Sequence, residues 1–166
     1  MEQPVRQQEA SLDRETASRT DDHRALRLWL RLFTCTQLIE RRVRARLRER
    51  FDTTLPRFDL MSQLWRYPDG LKMNELSRHL MVTGGNVTGI VDQLERAGQV
   101  ERAPEPADRR ACRVRLTRAG RKAFAEMARA HEEWIVNLLA GLARRERADT
   151  YRLLGKVKQV TLERKA

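Results

Sequence analysis

Cysteine is scarce in this chain. Cys35 and Cys112 are the only two among 166 residues, and they stand far apart. That spacing excludes a disulfide framework and a cysteine-based zinc site, and it fits the reduced thiols of a cytoplasmic protein. Both thiols are expected to be inert. Cys35 shares the apolar face of a helix, and Cys112 alternates inward on a strand. The three histidines, His23, His79 and His131, are also widely separated, so no metal site is expected. No run of about 18 consecutive apolar residues is present, which excludes a membrane-spanning helix. The first residues are polar and of mixed charge, without the apolar stretch of a secretory signal. A Ser/His/Asp set, a phosphate-cradling loop and a metal motif are all missing, so neither catalysis nor a cofactor is expected. Aromatic residues make up 5% of the chain, so the place of each ring is informative.

Basic charge is abundant. Lys and Arg number 34 against 23 Asp and Glu, a net charge of +11 and a pI near 10.8. Such an excess points to a polyanionic partner. Between Arg96 and Lys122 nine basic residues face three acidic ones, and six arginines fall between Arg41 and Arg50. The clustering within a compact segment favours nucleic acid over a membrane surface.

Residues 1–20 have few apolar groups and no periodicity, and read as a loosely held arm. From about Asp22, the residues Leu28, Leu32, Cys35, Ile39, Val43 and Leu47 recur at spacings of three and four. This predicts a long amphipathic helix over 21–52. Pro56 suits the first turn of a second helix, which ends at Pro68-Asp69-Gly70. Two short helices follow, one carrying Met73, Leu76 and Leu80, the other Val87, Ile90, Val91 and Leu94. Thr83 is placed to cap the second, and Gly98 stops it. The period then changes to two. Val100 precedes a tip at Ala103–Asp108, and the return strand alternates Cys112, Val114 and Leu116 with Arg113 and Arg115, giving one apolar and one basic face. Thr117 can cap a helix whose stripe runs Phe124, Met127, His131, Trp134, Leu138 and Leu142. A last helix is expected at about 146–163.

Two short helices with a tight turn, then a basic hairpin, make a winged helix-turn-helix. The expected fold is mainly α with a small β-hairpin wing and a helical dimerisation region. The segments are 21–52 and 119–166 for dimerisation and 53–118 for DNA binding. The second short helix of such a pair enters the major groove of double-stranded DNA. Burying Val87, Ile90, Val91 and Leu94 leaves Thr83, Gly84, Gly85, Asn86, Thr88, Gly89, Asp92 and Gln93 facing outward. Asn86 and Gln93 can address adenine, and Thr88 a phosphate or a thymine methyl. The glycines either let backbone approach DNA closely or are simply tolerated near a helix start. Asp108, Arg109 and Arg110 stand at the wing tip, where arginines suit a narrow minor groove, and Asp108 can hold Arg110 by a charge-assisted bond.

The stretches MNELSRHLMVTGGNVTGIVDQLERAGQVER and PADRRACRVRLTRAGR resemble the MarR family of transcriptional regulators. The wing signature, Asp-x-Arg followed by Leu-Thr and a nearby Gly, reads Asp108, Arg110, Leu116, Thr117 and Gly120. Ser77, Met81 and Pro56 depart from common family residues. The resemblance implies a homodimer held by the terminal helices, a pseudo-palindromic operator, and a small molecule that relieves repression. It also implies a ligand pocket between the DNA-binding lobe and the dimerisation helices. Trp29, Phe33, Trp65, His131 and Trp134 fall near that region, either as lining or as ordinary core. The arginine run, with Arg41 and Arg44, is either solvated helix surface or a site for the phosphates of DNA or of an acidic ligand. The stretch beginning LPRFDLMSQLWR is also similar to members controlling hydroxycinnamate and other aromatic-acid degradation. This suggests an anionic aromatic effector or its coenzyme A thioester. A ligand-independent architectural DNA binder is the alternative.

Overall fold

The computed structural model describes residues 23–80, 83–105 and 108–163, with the side chains of 105–111 outside the description. The arm 1–20, Met81 in the turn and the very tip of the wing therefore lie beyond the described residues. Among the described residues, six helices and three strands run in the order α1 (Arg24–Phe51), α2 (Leu55–Arg66), β1 (Leu71–Lys72), α3 (Met73–Leu80), α4 (Gly84–Arg96), β2 (Val100–Glu105), β3 (Asp108–Leu116), α5 (Arg118–Leu138) and α6 (Arg144–Glu163). Two compact units divide the chain, Met1–Phe124 and Ala125–Ala166. No helix among the described residues is long and apolar enough to cross a membrane.

The core of the first unit is assembled from one stripe of each element. Val43 and Leu47 of α1 are buried, with Phe58, Leu60, Met61 and Leu64 of α2, Leu76 of α3, and Val87, Val91 and Leu94 of α4. Val100, Val114 and Leu116 close it from the sheet. Each such side chain contributes about 1.5–3 kcal/mol by leaving water. The apolar stripe of α1 is buried only at its C-terminal end. Leu28 is 54% exposed, and Cys35 is exposed as well, contrary to the expectation of an inert, covered thiol. Periodicity identifies a face but not how far along the helix this chain alone covers it.

The sheet has the order β1-β3-β2, with both pairs antiparallel. β1 was not anticipated, because two residues are too few to show alternation. Leu71 pairs with Val114, and Lys72 with Arg113. The hairpin is longer than the sequence suggested: β2 continues through Pro104, which pairs with Cys112, and Glu105 then pairs with Asp108 rather than Ala111. Proline is tolerated there because β2 is an edge strand and need not donate on its outer side. Cys112 is only half-buried. In the second unit Met127, Ala130 and Trp134 are buried along α5, but the stripe stops at Leu138 and Leu142 falls in the turn before α6.

The root of the wing is tightly knotted. Gly98 takes φ +67, and its carbonyl accepts a 2.7 Å bond from the Thr117 hydroxyl. The same hydroxyl accepts the Gly120 N–H at 3.0 Å, capping α5 as expected, while Thr117 N–H donates to Gln99 O at 3.1 Å. A Cβ on Gly120 would lie 1.8 Å from Gln99 O, so only glycine lets α5 start against the strand. Gly120→Ala is therefore expected to cost about 3 kcal/mol, the upper range for overpacking, and to lower Tm by roughly 6–12 °C in thermal melts. A shift below about 2 °C would mean that the α5 start moves freely.

Candidate nucleic-acid interface

Helix α4 has an unusually bare outer face. At 100° per residue, Gly85, Gly89, Asp92 and Arg96 fall along one ridge, flanked by Asn86 and Gln93 on one side and Thr88 on the other. Thr83, Gly84, Gly85, Asn86, Thr88, Gly89 and Gln93 are all exposed. Neither Gly85 nor Gly89 takes a positive φ, and a Cβ on either would meet nothing within 4 Å. Gly84 would make only an ordinary contact with Ser77 Oγ at 3.9 Å. The fold therefore does not demand these glycines, although each costs up to about 1 kcal/mol of helix stability relative to alanine. What they provide is a ridge on which a flat partner can reach the backbone.

The polar residues around the ridge are partly committed. Thr83 occupies the N-cap position, but its side chain makes no capping bond. Thr88 donates its hydroxyl to Gly84 O at 3.1 Å, which leaves the oxygen lone pairs and the methyl outward. Gln93 Oε1 accepts from Arg57 Nε of α2 at 3.0 Å, so its amide is oriented by the scaffold rather than free to swing. Asp92, expected to face outward, is instead clasped with Glu95 by the guanidinium of Arg102 on β2. The Asp92 hydrogen bond holds that guanidinium still more firmly in its charged form, with Coulomb attraction from Glu95 adding to it. Periodicity could not reveal this clasp, because it joins a helix turn to a strand across the wing root. It fixes the angle between α4 and the wing.

Asp108, Arg109 and Arg110 are the first three residues of β3, with side chains outside the description. Of the other wing arginines, Arg115 pairs with Glu101 at 2.6 Å, and Arg113 donates to Gly70 O at 3.1 Å.

A second basic feature continues the arginine run of α1 onto residues that the sequence did not connect with it. Shallow hollows run from Arg44 and Arg48 past Thr53 and Thr54 to Arg57, and on from Arg57 to Gln93 and Arg96. The α2 N-terminus opens there, with Thr54 at the N-cap making no side-chain bond to the first turn. The positive end of the helix dipole and the arginines together suit phosphate oxygens. The row ends on the α4 ridge. Only the fold brings Arg48, Arg57 and Arg96 into line.

The residues expected to line a ligand pocket fall in both compact units. Trp29 and Phe33 stack on each other at 5.8 Å and are about half exposed. Trp65 is 43% exposed at the core edge, its ring 5.4 Å from that of Phe124. Trp134 is buried, and His131 is half-buried, with desolvation lowering its pKa. Arg41 is exposed, and Arg44 is already paired with Glu40 at 3.0 Å. Among the described residues, no group of three or more His, Cys, Asp or Glu could hold a metal ion.

Asp59 of α2 sits beside that pair. Burial, and then the Glu40 charge, raise its pKa, while Arg44 opposes them. An acid with a raised folded-state pKa adds stability that is fully present below the ordinary Asp range and is lost as pH rises through the raised value. Asp59→Asn should therefore melt above the parent protein at pH 7, with the gap closing as pH falls toward about 4. Thermal melts across that range would refute this if the gap were constant or reversed.

Similar proteins share this arrangement. The MarR family pattern matches residues 53–112. The transcriptional activatory protein BadR of Rhodopseudomonas palustris is 31% identical over 106 residues, covering 63% of this chain and 60% of BadR. The chain spans between 55% and 63% of the length of the curated relatives it matches. A crystal structure of a MarR family transcriptional regulator from Silicibacter pomeroyi superimposes with a TM-score of 0.73 at 29% identity, covering 86% of this chain and 99% of that one. A mutant MarR from E. coli complexed with operator DNA gives a TM-score of 0.72 at 25% identity, covering 84% and 99%. By its helix-turn-helix and wing, the chain is similar to MarR family regulators, whose family pattern its residues 53–112 match.

Proposed function

We propose that the protein is a homodimeric, sequence-specific DNA-binding transcriptional regulator whose hold on a pseudo-palindromic operator is released by a small anionic aromatic ligand or its coenzyme A thioester. The observation that carries the DNA-binding reading is the bare ridge of α4, which has no use inside the chain and lies between a basic wing and a row of arginines. The E. coli relative with the same fold was crystallised on operator DNA. In this reading Asn86 and Thr88 contact base edges, Asp108 to Arg110 approach the minor groove, and Arg48, Arg57 and Arg96 hold phosphates.

The homodimer is supported by apolar surface that one chain leaves open. Leu26, Leu28, Trp29 and Phe33 of α1 are exposed, and so are Tyr151, Leu153, Leu154, Val157, Val160 and Leu162 of α6. No residue of α6 is buried. An amphipathic helix without cover needs a partner, and a second copy supplies the two-fold symmetry of two half-sites about one helical turn apart. The ligand reading is supported by the sequence similarity and by rings held at the surface. A hundredfold release needs about 2.7 kcal/mol of coupling, within the ordinary allosteric range.

Gly85→Ala and Gly89→Ala together separate function from folding. The variant should gain about 1 kcal/mol of stability, a Tm higher by roughly 2–4 °C, and lose at least tenfold in operator affinity by fluorescence anisotropy. Unchanged affinity would show that the ridge is not an interface.

Arg110→Ala should weaken operator binding strongly while light scattering still shows a dimer. The parent protein's log–log salt slope should lie near about −7 to −9, as for roughly 8 to 10 neutralised phosphates. A monomer at micromolar concentration, or a slope shallower than about −3, would refute the reading.

A further inference from the structure

The molecule has a cavity of about 490 Å³ that the DNA-binding role does not use, where the end of α2, the Tyr67–Gly70 turn, α3 and strand β3 meet. Its walls combine two chemistries. Tyr67 and His79 form an aromatic face, with ring centroids 5.2 Å apart. Arg66, Arg78 and Arg113 supply three guanidiniums against the carboxylates of Asp69 and Glu75. Glu75 is engaged, accepting the Lys72 N–H at 2.8 Å, whereas Arg66 and Arg78 have no ion-pair partner among the described residues.

We infer that this cavity binds a small aromatic carboxylate and passes its presence to the wing; the inference rests on the ligand-released reading proposed above. The ring would lie against Tyr67 and His79, and the carboxylate would take a guanidinium. A carboxylate is a stronger acceptor for arginine than a neutral carbonyl. Arg113 donates to such a carbonyl, Gly70 O, at 3.1 Å. That bond lies on the path to the wing, because the turn is pressed onto β3. Gly70 holds φ +85, and a Cβ there would lie 2.7 Å from Val114 O. From α5, Arg121 donates to Pro68 O at 3.3 Å. Drawing Arg113 from Gly70 toward a ligand therefore releases a side-chain tie between turn and wing, while the Arg121 tie to α5 stays in place. The sheet order sets this cavity apart from the DNA face: it lies at the β1 edge, while β2 on the opposite edge carries the Arg102 clasp to α4. An aromatic wall in a concave site also suits a flat ring better than a DNA backbone phosphate.

The test uses the full-length protein, 4-hydroxycinnamate and benzoate as probes, and the exposed-residue double variant Arg66→Gln/Arg78→Gln. Calorimetry reads probe binding, and anisotropy reads operator release. The variant should bind the better probe at least tenfold more weakly and need correspondingly more of it for release, with probe-free operator affinity within threefold of the parent. Equal probe affinity in parent and variant would overturn the inference. So would loss of operator affinity with unchanged probe binding, which would assign the arginines to DNA. If the parent protein binds operator but neither probe, the aromatic-carboxylate site is refuted and the DNA-binding reading stands. If a probe releases operator equally from parent and variant, ligand release survives and the cavity does not.

Discussion

Much of the candidate interface depends on where Arg102 sits. The side chain leaves the middle of β2 and grips Asp92 and Glu95, one helical turn apart on α4. A hairpin joined to a helix by a few loop residues would otherwise hinge at Gly98, which takes φ +67. The clasp and the Thr117 hydrogen bonds act on the two ends of the same lever. Thr117 secures the return strand to the helix end, and Arg102 secures the outgoing strand one turn earlier. With both in place, the helix ridge and the wing approach a partner as one rigid object, and binding need not meet the entropy cost of ordering them. The clasp also removes two carboxylates from the electrostatics of a surface meant for a polyanion. Left unpaired, Asp92 on the ridge would repel phosphate.

The ridge itself shows a local rule broken for the sake of a surface. Helix interiors favour alanine over glycine, and nothing within the chain prevents alanine at positions 85 and 89. Stability lost there is recovered elsewhere, in the buried row Val87, Val91 and Leu94 on the other side of the same helix. One face is therefore shaped by packing and the opposite face by approach to a partner. Gly70 and Gly120 differ in kind, since both are demanded by close backbone contact with β3 and with Gln99. The same residue type is demanded by assembly in two places and left open to approach in two others, and only the surroundings tell them apart.

Much of this architecture was legible in the residues. The 3.6-residue period of α1, α2 and α5, the Thr117 cap, the Gly98 stop and the alternation Cys112, Val114, Leu116 are local signals, and local signals survive in a linear string. What escaped was non-local. A two-residue strand exists only because β3 offers it partners, so β1 has no pattern of its own. Pro104 reads as a turn residue unless the strand that carries it is known to be an edge. The Arg102 clasp and the arginine row from Arg44 to Arg96 join residues far apart in sequence. Among the candidate site residues, those on α4 were placed correctly on its outer face by burial pattern alone. The aromatic residues were not resolved into a single pocket, because a ring at helical spacing can face core, solvent or ligand with the same periodicity.

The large positive charge, read as one quantity, conceals a division of labour. Arg102, Arg113, Arg115 and Arg121 are each held by an internal acceptor, two by carboxylates and two by turn carbonyls. They act on the shape of the wing more than on its attraction for DNA. Such internally satisfied charges release few counterions when DNA binds, so they add little to salt dependence. Long-range attraction must come from arginines such as Arg48, and from Arg57 and Arg96, which donate through Nε to the neutral Gln93 Oε1 and Asp92 O and so keep their charge. A guanidinium tied to a neutral carbonyl is intermediate, because an incoming anion can outbid the carbonyl without first separating an ion pair. Arg121 of α5 is in that position, holding Pro68 O of the Tyr67–Gly70 turn. Arginines set by carboxylates therefore make the rigid part of the wing, and those set by carbonyls yield more readily to an incoming anion.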